Sequence, residues 1–148
     1  METSPGKKRQ RAVSERDPEG LTHFLNVDLD LLSRSPLDGL VAAFGRRVSA
    51  HYVGREGRKY GAHLALATYP RDAVAAIRVF VALVTRLPRS ARRAWDQATT
   101  RDFNIGVDAG FRPRSYEMPL DSRTVAAVAQ VQGRIIFTVY AAELPRRR

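Results

Sequence analysis

Apolar and polar residues alternate from Leu21 to Leu32, with Leu25, Val27, Leu29 and Leu31 on one side and Asn26, Asp28 and Asp30 on the other. A period of two marks a half-buried strand. Leu37, Leu40, Val41 and Phe44 then recur at helical spacing, between the capping group Ser35-Pro36-Leu37-Asp38 and a closing Gly45. Val48, Ala50 and Tyr52 start a second strand, and Tyr60, Ala62, Leu64 and Leu66 a third. The two form a hairpin. A loop of Glu56, Gly57 and Arg58 would set His51 opposite His63, on the face away from Tyr52 and Tyr60.

The longest helix is predicted from Asp72 to Leu87, with Ala73, Ile77, Phe80, Val84 and Leu87 as its buried seam and Pro88 as its break. Ser90 is placed to cap a shorter helix carrying Ala91, Ala94, Trp95 and Ala98. Phe103, Ile105 and Val107 alternate as a fourth strand. The closing stretch, Ser115 to Ala142, reads strand, helix, strand. Tyr116 to Met118 is extended, Asp121 is a helix cap flanked by a Leu120–Val125 staple, Gly133 is the stop, and Arg134 to Tyr140 is β-branched and aromatic.

These elements predict an α+β, two-layer sandwich. A ferredoxin-like β-α-β-β-α-β order is followed by an extra β-α-β unit, with the helices on one sheet face. The expected core contains Leu25, Val27, Leu29, Ile77, Phe80, Val84, Trp95, Val125, Val128 and Ile136. Residues 1–20 are polar, charged and rich in proline and glycine, and are expected to be a disordered tail. Residues 21–144 form the single domain, and 145–148 a frayed basic end.

Composition narrows the function. There is no cysteine, which removes disulfides and thiolate chemistry and suits a cytoplasmic location. No apolar run reaches the ~20 residues of a membrane helix, so no membrane association is expected. Lysine and arginine number 25 against 15 acidic residues, and nearly all of the excess is arginine. A formal charge of +10 suits an acidic protein partner or nucleic acid; ordinary solvated surface in an arginine-rich composition gives the same total.

The long helix ending at a proline, the FNIGVDAG strand and the segment MPLDSRTVAAVAQVQGRIIFTVY together resemble a bacterial α+β domain family of unknown function. The resemblance runs from about Asp72 to Tyr140. It implies a fold, and it brings no functional residues with it. Small bacterial proteins of this kind resemble immunity proteins that neutralise toxins, which makes protein binding the expected role.

Candidate chemistry is sparse. Arg86, Arg89, Arg92 and Arg93 cluster at the helix break, and the loop residues Phe111, Arg112 and Arg114 mix aromatic and basic character suited to an interaction surface. Both groups flank the strand containing Ile105 and are expected to form one patch. A second candidate is the polar face of Asn26, Asp28 and Asp30 with His51 and His63, where a carboxylate–histidine pair in a pocket would support hydrolysis. Two histidines without a third ligand do not make a zinc site. Arg58 to Ala65 resembles an RNA-binding motif but lacks its stacking aromatics. No phosphate-binding glycine loop or nucleophile elbow occurs. The reading is a non-enzymatic binding protein with no cofactor or metal; the alternatives are a nucleic-acid-binding domain and, after it, a small hydrolase.

Overall fold

Strand β1 (His23–Ser33) is the centre of the sheet. Its odd residues Val27, Leu29 and Leu31 are buried and its even residues half-exposed, as the alternation requires. The computed structural model describes residues 20–143, so all of the predicted tail except Gly20, and the basic C-terminus, lie outside the described residues. β1 pairs antiparallel with β3 (Lys59–Leu66) on one side and β4 (Thr100–Asp108) on the other. β2 (Val48–Glu56) is added outside β3, and β5 (Arg134–Tyr140) runs parallel to β4 on its far side. The strand order is β2-β3-β1-β4-β5, a five-stranded mixed sheet.

Among the described residues four α-helices cover one face: α1 (Asp38–Phe44), α2 (Ala73–Thr85), α3 (Arg89–Gln97) and α4 (Ser122–Gln130). Their buried residues, Leu40, Phe44, Ile77, Phe80, Val84, Trp95 and Val128, join Val27, Leu29, Leu64, Phe103 and Ile105 in one core. Phe103 stands edge-on to both Phe80 and Trp95, with ring centroids 6.3 and 6.4 Å apart. The Trp95 indole N–H donates to the Val131 carbonyl at 2.9 Å, so the ring is buried without an unpaired donor. Arg101 closes the same corner, its guanidinium donating to the carbonyls of Trp95, Ala98 and Gln132.

Two caps form as the sequence predicts: the Asp72 carboxylate accepts the Ala75 N–H and that of Asp121 accepts the Thr124 N–H, both at 2.8 Å. Others do not. α1 starts from Leu37 and α3 from Pro88, neither with a side-chain cap, and Ser90 lies inside α3. At the end of α4 the left-handed residue is Gln132 (φ 60°), not Gly133. Gly133 is required for space, because a Cβ there would sit 2.5 Å from the Phe103 ring and 2.8 Å from Val128.

The hairpin corrects the register. Its loop is two residues, Gly57–Arg58, with Glu56 paired to Lys59 and Gly57 at φ 60°. This is the glycine-first pattern of a tight hairpin turn. Such a turn sets odd against even numbering, while Val48 must oppose Leu66 to pack on the core. A bulge at His51 reconciles the two, and it puts Tyr52, rather than His51, opposite His63. Tyr52 therefore lies on the open face. A second bulge between Phe24 and Asn26 takes Leu25 out of the alternation, and Phe24 packs on the core.

The extra β-α-β unit is only α-β. Tyr116 to Met118 forms no strand: Pro113 and Pro119 bracket a short run, and both sides of β4 are taken by β1 and β5. Val125 is 45% exposed on the flank of α4, so the Leu120–Val125 staple is not buried. Ile136 pairs with Asn104 on the open face, and its neighbour Ile135 packs on the core.

Candidate functional site

The face of the sheet away from the helices carries Tyr52, Glu56, His63, Asp30, Asp102, Asn104 and Thr138 in neighbouring rows. Asp30 lies opposite His63 on one side and Asp102 on the other. The alternation of β1 fixes this, since burying Leu29 and Leu31 turns Asp28 and Asp30 outward.

A chain of hydrogen bonds crosses this face. One His63 ring nitrogen (Nδ1) meets Asp30 at 2.9 Å and the other (Nε2) meets the Glu56 carboxylate. The Asn104 amide donates to the second Asp30 oxygen at 3.2 Å, and the Thr138 hydroxyl donates to the Asn104 carbonyl at 2.7 Å. Beside it Arg134 forms a two-pronged pair with Asp102, both contacts at 2.9 Å. Gly61 leaves room for Glu56 to reach His63, because a Cβ there would lie 2.5 Å from the carboxylate.

Asp30 and then Glu56 hold the His63 proton, against the cost of partial burial, and raise its pKa from 6.5 to about 9. Both carboxylates favour the imidazolium, which donates through both nitrogens. It has no lone pair for a substrate proton or for a metal. Among the described residues no group of three or more histidines or acids is placed to hold a metal ion. The hydrolase reading needs the pair in a pocket, but the cavity near this face, about 140 Å³, is lined by Phe24, Asn26, Ser49, His51, Ala65 and Tyr69. His63 and Asp30 lie outside it. The polar face predicted from sequence is thus divided: Asp30 joins His63, Asn26 and His51 border the cavity, and Asn26 donates to Asp28 at 2.9 Å.

The basic residues are divided too. Arg86 follows α2 and Arg89, Arg92 and Arg93 lie on α3, whose end feeds the first residue of β4. Phe111, Arg112 and Arg114 follow the last residue of β4. The strand spans roughly 27 Å between these ends, so the two groups do not form one patch. The loop is tied to the start of the domain: Gly20 and Arg112 carbonyls accept the Phe111 and Thr22 N–H groups at 2.8 and 2.7 Å. The α3 group borders a shallow groove with Leu87, Asp96 and Gln97. Arg92 also reaches Asp96 at 3.2 Å.

Glu56, Asn104, Thr138 and the Asp102–Arg134 pair are not among the site residues expected from sequence. The polar positions of each strand were available as a signal, but joining them requires strand order and the hairpin bulge. No family model matches this chain, and no curated protein or solved structure is detectably similar to it.

Proposed function

We propose that this chain is a bacterial, cytoplasmic protein that acts by binding an acidic protein partner through the arginine face of α3. One observation carries the reading. α3 begins without a side-chain cap and without an acidic residue in its first turn, and Arg89, Arg92 and Arg93 crowd its opening. The helix dipole is positive there, so positive charge in the first turn is disfavoured. Helix stability favours Asp or Glu at these positions. A cluster of arginines set against that preference suits an acidic surface outside the chain. Leu87 beside them adds apolar surface, and arginine is among the residues enriched in protein hot spots. An immunity-like role, in which a small domain blocks its partner by occupying it, is one form of this activity.

The closed state of His63 argues against catalysis on the opposite face. For the fold, we read the first four strands as a ferredoxin-like sheet, because they are antiparallel neighbours in the order β2-β3-β1-β4, with β5 as an addition at the edge. The charge of +10 keeps nucleic acid as the second reading. Titrating salt against generic duplex DNA and RNA separates the two. Weak binding at physiological salt is expected; tight binding whose logarithm falls steeply with log salt would overturn the protein-partner reading.

A further inference from the structure

The two edges of the sheet are built on opposite plans. β2 carries a bulge at His51, a glycine at 54 and charges at Arg55 and Glu56, and the Tyr52 hydroxyl donates to the Arg55 carbonyl. Bulges and charges of this kind stop one strand edge from pairing with another. β5 has none of these devices except a charge at its first residue. Its register against β4 is unbroken from Arg134 to Tyr140, it contains neither glycine nor proline, and no described strand pairs with its outer edge. Phe137 and Val139 lie opposite Ile105 and Val107, on the helix side, yet are 52% and 62% exposed. An apolar row beside an unpaired backbone is a template for another strand.

We propose that β5 pairs antiparallel with β5 of a second copy, about a two-fold axis at Phe137, to make one continuous sheet. The sequence complements itself in this register. On the helix side Phe137 meets Phe137 of the second copy, and Ile135 meets its Val139. On the open face Ile136 meets Thr138, and Arg134 meets Tyr140, where the guanidinium can lie against the ring. Charge selects the direction of pairing. A parallel arrangement in register would put Arg134 directly against Arg134, and like charges facing across a ladder are destabilising. In the antiparallel arrangement the two Arg134 side chains are at opposite ends of the paired segment. A two-fold axis makes the interface closed, so pairing stops at the dimer.

The chain lacks cysteine, so a single introduced thiol reports the register without interference. Sedimentation equilibrium of the full chain should show a monomer–dimer equilibrium. Phe137→Lys, and separately Val139→Lys, should shift it to monomer while circular dichroism keeps the wild-type spectrum, since both side chains are already more than half exposed. Under mild oxidation Phe137→Cys should cross-link efficiently, as residues on the axis face each other within about 5.5 Å. Tyr140→Cys should not, because its two copies would lie roughly 20 Å apart. A strictly monomeric chain, whether the edge is empty or covered by its own C-terminal residues or another protein, overturns the proposal. So does a dimer that survives both lysine variants, or one that cross-links better through position 140.

Discussion

His63 makes stability depend on pH in a direction that can be worked out. In the folded chain Asp30 and Glu56 raise its pKa to about 9, while in the unfolded chain it returns to about 6.5. The folded state therefore holds the proton more tightly, and the resulting stability is fully present below pH ~6.5 and lost as pH rises through ~9. The interval of about 2.5 pH units corresponds to about 3.4 kcal/mol if nothing screens it. The His63 side chain is 39% exposed, and pairs with that much access to water and salt keep only a fraction of such a value, about 1 kcal/mol here. Urea unfolding of the wild type and of His63→Gln at several pH values between 6 and 10 isolates this contribution, because other titrations appear in both proteins and cancel. The stability difference should shrink by about 1 kcal/mol across the range. NMR titration of the imidazole should give a midpoint displaced upward from 6.5, by an amount that matches the measured stability change. Asp30→Asn should lower that midpoint more than Glu56→Gln, since the Asp30 hydrogen bond is its largest single cause. A difference that stays flat or grows with pH, or a midpoint near 6.5, would refute the bridged imidazolium and reopen His63 as a general base.

Phe80→Ala should cost about 3–5 kcal/mol in chemical denaturation, because the ring is fully buried and stands against Phe103. Gly133→Ala should cost about 1–3 kcal/mol by forcing Phe103 and Val128 apart, even though Gly133 is not left-handed. If that variant keeps wild-type stability, the close approach at the α4–β5 corner is not tight.

Periodicity located the strands and helices well wherever the core decides orientation. Leu29 is buried and Asp30 is not, since a one-residue slip of β1 would expose its whole apolar set. The caps at Asp72 and Asp121 were equally legible, because they depend on a side chain and an N–H only three residues on. What escaped depends on two parts of the chain at once. The His51 bulge exists because a tight turn and a buried face demand different registers, and neither demand is visible from β2 alone. The bond between Asp30 and His63 spans distant strands and depends on that register. Ile135 and Ile136 look interchangeable in sequence, and only the pairing of β5 with β4 sends one to the core and the other to the open face. The separation of the two arginine groups follows from the direction of β4, which links them but places them at its two ends.

Affinity capture from native cell extract, with the full chain and its Arg89→Glu/Arg93→Glu form run side by side, tests binding through α3 most directly. Both arginines are exposed and outside the core, so circular dichroism should confirm an unchanged fold. The account predicts that the wild type retains an acidic protein and that the double reversal loses it, with a weaker loss at raised salt for the wild type itself. Retention of the same protein in equal amounts by both forms would contradict a binding surface on α3.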